Sequence, residues 1–289
     1  MSWIEYRNNP EWQFNPQVTT PEGRDAAERE RNTRSEQVRT QLRPETDLRY
    51  GPGPRQLLDC FPAAAAAPAI HVYFHGGYWR RGDKAGSGFV AHASHALGLP
   101  TAVMGYDLCP DVTLAQIVAQ ALDGIEWVHR NARRLGAPSG RVILSGHSAG
   151  AQLCAMALSC DWRARELDPA FLAGAALISG IYELEPVLHI SVNEQVRLSS
   201  GDVAAVSPMQ HPPRRRAPVA LAVGGRESPG WIDQTRAYAA ICEGAGCATE
   251  VFVMPGEDHY SMTLAAHGAA NTPVMRAIAG MLASIPPSG

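Results

Sequence analysis

The sequence predicts an α/β fold, a mostly parallel central sheet with helices on both faces. Three observations carry this. Short runs rich in Val, Ile, Leu and Ala recur from Ala69 onward, each closing on glycine or a polar turn. Segments with apolar residues at helical spacing separate them. The runs are apolar at successive positions, the pattern of strands covered on both faces.

In chain order, "YGPGPRQLLDCFP" reads as a turn followed by a strand, and "AAAAAP" as a loop. "AIHVYFHGG" is a strand beginning near Ile70, and Phe89–Leu97 is helical. "TAVMGYDL" is the next strand. In "DVTLAQIVAQALDGIEWVHRNARRLG", Leu114, Ile117, Val118, Ala121, Leu122, Ile125 and Val128 share one broad helical face, with Gly136 as the C-terminal cap. "RVILSG" is a strand and "SAGAQLCAMALSC" a helix. "LAGAALISG" and "PVALAVGG" are strands, and a helix runs through "WIDQTRAYAAICEGAG". "TEVFVMPG" is the last strand, with a helix after Thr272.

The strand–helix alternation stops between Ile181 and Arg216, which is expected to form a small cap over the sheet. Residues 1–45 are a polar extension whose charge-dense stretch Glu22–Arg43 reads as a solvated helix or as a lid beside a site. A single domain over 1–289 is expected.

Composition narrows the function classes. The chain is 45% hydrophobic and 18% charged, as suits a folded globular protein. A formal charge of −3 gives no electrostatic case for nucleic acid or an anionic membrane as partner. The six cysteines form no C-x-x-C pair, and His92 and His95 lack a carboxylate at matching spacing, so no metal is expected. "MSWIEYRNNPEWQ" has no apolar signal-peptide core, and no run approaches a membrane span, so a cytoplasmic enzyme is expected. A homodimer is left open.

Ligands of such sheets sit beyond the carboxyl ends of the strands, so residues just after strands are the candidates for chemistry. Ser148 lies in G-x-S-x-G (Gly146, His147, Ser148, Ala149, Gly150), where a strand becomes a helix. Glycines there remove Cβ atoms where strand and helix would collide, holding the serine in a strained turn. The Ala149 N–H, at the helix start, faces a developing oxyanion. The bland alternative is a strand–turn–helix with a capping serine. "HGGYW", His75–Trp79, ends an earlier strand, and Gly76 and Gly77 would complete the oxyanion hole. His75 is expected to lock that loop. Tyr78 and Trp79 line a pocket or simply pack, and His147, beside the serine, is a further pocket candidate.

A serine nucleophile needs a base, and the base an acid. Of ten histidines, His259 follows the last strand. Glu227 follows the strand before it, giving the chain order Ser, acid, His. Asp233 falls inside the next helix, and Asp258 adjoins His259 in sequence, where side chains point apart.

"HGGYW", "GHSAG", "YDLCP", "SGIYELEPV", "GGRESPGWIDQT" and "EDHYSM" together resemble the kynurenine formamidase (arylformamidase) and esterase group of α/β-hydrolases. The resemblance spans residues 71–262. It implies the α/β-hydrolase fold, Ser148, Glu227 and His259 as triad, and Gly76, Gly77 and Ala149 as oxyanion donors. It implies no cofactor, and hydrolysis of an aryl formamide such as N-formylkynurenine. The alternatives are a carboxylesterase or amidase on other small acyl substrates, and a catalytically silent small-molecule binder on the same scaffold.

Overall fold

Apolar residues that alternate between the two faces of each central strand need cover on both sides, and the computed structural model, which describes residues 9–285, supplies it. Its strands are β1 (Glu45–Arg49), β2 (Leu57–Phe61), β3 (Ile70–Phe74), β4 (Thr101–Met104), β5 (Val142–His147), β6 (Leu172–Ile178), β7 (Val219–Gly224) and β8 (Thr249–Met254). They form one sheet in the order β1-β2-β4-β3-β5-β6-β7-β8. The β1/β2 and β2/β4 pairs are antiparallel, and every other pair is parallel.

The helices are α1 (Pro10–Phe14), α2 (Pro16–Thr19), α3 (Pro21–Leu42), α4 (Val90–Ala96), α5 (Leu114–Asn131), α6 (Ala149–Ser159), α7 (Asn193–Val196), α8 (Ser200–Val206), α9 (Pro229–Gly244), α10 (Met262–His267) and α11 (Pro273–Ala283). One face of the sheet, with Val72, Phe74, Leu144, Leu177 and Leu221, packs on α5, α6 and α9. The other, with Tyr73, Ile143, Ala176 and Ala220, is covered by α3, α4, α10 and α11. On α5, Leu114, Ile117, Ala121, Ile125 and Val128 are buried and Val118 and Leu122 pack at the margin, as their spacing predicts. Burying a side chain of that size contributes about 1.5–3 kcal/mol.

Four features differ from the sequence reading. The edge strand β1 is mostly exposed and carries Glu45, Asp47 and Arg49, so it has no apolar signature. The strand "TAVMGYDL" stops at Met104, because the Leu57 N–H turns to the Arg55 carbonyl at 2.8 Å and the Gly105 carbonyl accepts from the Tyr50 hydroxyl, so the reciprocal ladder bond is not made. Helix α5 ends at Asn131, and Gly136 (φ 93°) closes the turn beyond it. β8 is an edge whose Val251 and Val253 are each 39% exposed, so a run of apolar residues there does not mean two covered faces. Among the described residues, no helix is long and apolar enough to cross a membrane.

Residues 181–216 form short helices that bury Tyr182, Val187, Val196 and Val206 in the main core. The cavity beside the strand ends is walled instead by α3 and the loop after β3.

Candidate active site

Ser148 sits at the turn from β5 into α6 with φ 56° and ψ −118°, a conformation that L residues adopt only under constraint. The constraint is backbone crowding. A Cβ on Gly146 would meet the Gly150 carbonyl at 2.4 Å, and one on Gly150 would meet the Phe74 carbonyl at 2.1 Å. Both glycines are therefore required by contact with main chain, which cannot move aside as a side chain can.

His259 follows β8, and its ring bridges two partners. Its Nε2 lies 3.0 Å from the Ser148 hydroxyl and its Nδ1 lies 2.7 Å from a Glu227 carboxylate oxygen. All three side chains are buried to within 7% exposure. The second carboxylate oxygen of Glu227 accepts from the Ser179 hydroxyl and from the Gly224 N–H at 2.8 Å. A carboxylate so held by three donors keeps one orientation. Trp231 packs on the imidazole, ring centroids 4.4 Å apart. The His147 Nε2–H donates to the His259 carbonyl at 2.8 Å, and burial holds His147 well below the usual imidazole range, so it stays neutral.

The rival acids lie elsewhere. Asp258 folds its own turn, accepting from the Tyr260 N–H at 2.9 Å and the Ser261 N–H at 3.0 Å. Asp233 lies on α9, 3.9 Å from Arg236.

The loop after β3 brings Gly76 beside the serine: a Cβ there would stand 3.1 Å from the Ser148 Cβ. Gly77, Tyr78 and Trp79 have φ 124°, 50° and 54°, three successive residues in the left-handed half of the map. Strain of this kind persists only where surroundings over-determine it, and they do. The Tyr106 hydroxyl donates to the His75 carbonyl at 2.7 Å, its ring stacks on His75 at 4.3 Å, and the Cys109 N–H donates to the Trp79 carbonyl at 2.7 Å. His75 Nδ1–H donates to the Gly76 carbonyl at 2.8 Å, so it locks the loop as expected. No hydrogen bond among the described residues engages the N–H of Gly76 or Gly77. The Ala149 N–H, first in α6, has no acceptor one turn back within the helix.

Trp79 corrects one expectation. It does not line the cavity; it is fully buried, and its Nε1–H donates to Gln152 on α6 at 3.0 Å. The two left-handed residues turn its side chain inward while leaving Tyr78 on the cavity wall. Tyr78 and His147 do line it, together with Ser148 and His259. The cavity measures about 460 Å³, which suits one small organic molecule. Sequence reasoning passed over Ser179, although it directly follows β6 and so obeys the same strand-end rule. It also passed over Arg31, Tyr260 and Thr263, whose place on the wall follows only from the packing of α3 and α10.

The profile of a family described as having the alpha/beta hydrolase fold matches residues 71–263. The chain belongs to the α/β-hydrolase family. This hydrolase is 30% identical to a kynurenine formamidase of Danio rerio over 79% of its own length and 78% of that protein's. It is 32% identical to a kynurenine formamidase of Salmo salar over 74% of each chain. It is also 26% identical to esterase LipQ of Mycobacterium tuberculosis, over 76% of this hydrolase and 58% of that chain. Among solved structures, a protein described as a putative thioesterase, from Silicibacter, superposes with a TM-score of 0.81 at 24% identity, covering 93% of this hydrolase and 98% of that chain. That likeness carries the fold alone.

Proposed function

We propose that this hydrolase cleaves an aryl formamide of the N-formylkynurenine type through a formyl-serine intermediate, as a cytoplasmic enzyme needing no cofactor. The observation that carries the reading is the bridge of His259 between Ser148 and Glu227 at 3.0 and 2.7 Å, on the wall of a small-molecule cavity. Similarity to two kynurenine formamidases over about three quarters of the chain supports the substrate class.

In the first half-reaction the Ser148 oxygen attacks the formyl carbon and its proton passes to His259 Nε2. The N–H groups of Gly76, Gly77 and Ala149 hold the oxyanion, a contribution of roughly 2.7–4 kcal/mol per donor. Glu227 stabilises the imidazolium. The C–N bond then breaks, His259 returns the proton to the leaving arylamine, and formate stays esterified to Ser148. In the second half-reaction His259 takes a proton from water, the hydroxide adds to the formyl carbon, and the ester bond to Ser148 breaks as His259 returns that proton to the Ser148 oxygen, releasing formic acid, which ionises to formate. A pure binding protein would need neither the strained serine nor the buried carboxylate behind the imidazole.

A second reading, hydrolysis of short aryl or alkyl esters, is favoured by the resemblance to esterase LipQ. Measuring kcat/KM for N-formylkynurenine and for 4-nitrophenyl acetate side by side separates them. The formamidase reading expects the formamide to be the better substrate. Ester turnover with no detectable formamide cleavage overturns it.

A further inference from the structure

The cavity wall facing Ser148 carries more positive charge than the protein neutralises. Arg24, Glu28 and Arg31 reach it from α3, and Arg81 and Asp83 from the loop after β3. Two of these are engaged: Arg24 pairs with Asp25 at 2.9 Å, and Asp83 with Arg55 at 3.1 Å. Arg31 and Arg81 are half-buried, yet no carboxylate of the described residues comes within 4.0 Å of either guanidinium. Glu28, one helical turn before Arg31, is exposed at the rim and outside that distance. Arg31 makes one long side-chain bond, to the Thr263 hydroxyl at 3.4 Å. The remaining titratable neighbours are Arg80, a like charge beside Arg81 that bonds to Gln195, His147, which burial keeps neutral, and the phenols of Tyr73 and Tyr260, also kept neutral by burial, Tyr260 being pushed up to about 12. Burial also lowers the basicity of both arginines, and Glu28, outside contact distance, offsets that loss of water only in part. A guanidinium nonetheless stays protonated. Half-desolvated charge without a counter-charge in contact is costly, and a ligand anion would recover that cost.

We propose that Arg31 and Arg81 form an anion subsite that receives a carboxylate carried on the leaving-group half of the substrate. This rests on the acyl-transfer reading of Ser148. A formyl group is too small to reach past the serine, so an anion bound here belongs to the amine being released. Guanidinium forks bind carboxylates through paired, charge-assisted hydrogen bonds. The subsite also gives the charge-dense α3 a role: it is a helix whose solvated face is the outer one and whose inner face selects substrate.

The test compares two matched substrate pairs in the wild-type enzyme, Arg31→Gln, Arg81→Gln and Arg31→Lys. The first pair is N-formylkynurenine and its carboxamide. The second is the ester pair 3-acetoxyphenylpropionate and 3-acetoxyphenylpropionamide. The readout is the ratio of kcat/KM for the anionic over the neutral member, which cancels any loss of folded enzyme. The wild type is expected to prefer the anion, each Gln variant to lower the ratio by about 10- to 100-fold, and Arg31→Lys to retain part of the preference because charge survives while the fork is lost. No preference in the wild type, or a ratio unchanged in either Gln variant, overturns the subsite. If only the esters are cleaved, the formamide reading fails and the ester ratio alone decides the subsite.

Discussion

The Tyr78 hydroxyl donates to the carbonyl of Phe14, tying the strained loop beside Ser148 to the N-terminal segment 64 residues earlier. The same segment is fastened near Glu227: the Ser228 hydroxyl donates to the Gln13 carbonyl, and the Gly230 N–H to the Gln13 side chain at 3.0 Å. α1 and its flanks thus brace both the glycine loop and the acid loop.

Tyr78→Phe removes that buried tie and leaves the Phe14 carbonyl without this donor. The expected cost is about 1–3 kcal/mol of stability, with kcat falling more than KM rises, because a loosened glycine loop weakens oxyanion binding over ground-state binding. Denaturant unfolding and steady-state kinetics on one preparation check it. An unchanged kcat would mean that the tie serves folding only.

Two glycine substitutions predict opposite signs. Gly150→Ala drives a Cβ to 2.1 Å from the Phe74 carbonyl, and strand and helix must separate, at a cost of several kcal/mol or outright failure to fold. Gly280→Ala, on the exposed face of α11 with nothing within 4 Å, stabilises by about 0.5–1 kcal/mol. Melting temperatures of the pair read both signs at once.

Stability should fall as pH drops below the ordinary histidine range. Burial pushes His71 down to about 3, and His75 and His267 down to about 4. The unfolded chain binds protons at these positions from about pH 6.5 downward while the folded chain stays neutral. Their contribution is thus complete above pH 6.5 and is lost as pH falls toward 4, at about 1.4 kcal/mol per unit for each histidine. Urea unfolding at steps from pH 8 to pH 4.5 measures the slope. His267→Gln is expected to reduce it by one proton's worth, and an unaltered slope would contradict the assignment.

Glu227→Gln should lower kcat by about 10³-fold or more, since the amide cannot stabilise an imidazolium. Asp258→Asn and Asp233→Asn should leave chemistry nearly intact, Asp258 acting on its own turn. The reverse ranking would reassign the acid.

How much of this could be read from residues alone follows from physical range. Ser148, Glu227 and His259 were findable because each lies at or in the loop just beyond the end of a parallel strand, and parallel strands deliver their ends to one edge. The two glycines flanking the serine signal main-chain crowding, which is local. Trp79 was not findable in that way. Its direction depends on positive φ at Tyr78 and Trp79, and neither residue type announces that conformation. Arg31 was equally hidden, because a helix with charges on every side does not reveal which face another element will cover. β1 carried no apolar alternation at all, being held by its ladder to β2.

The central claim is that Ser148 carries the acyl group. Rapid quenching during turnover of 4-nitrophenyl acetate, followed by peptide mass spectrometry, reads this directly. One acetyl group is expected on the peptide containing Ser148 in the wild-type enzyme, with neither acetyl nor turnover in Ser148→Ala. Turnover that survives in Ser148→Ala, or an acetyl group on another side chain that forms and decays at the catalytic rate, would contradict it.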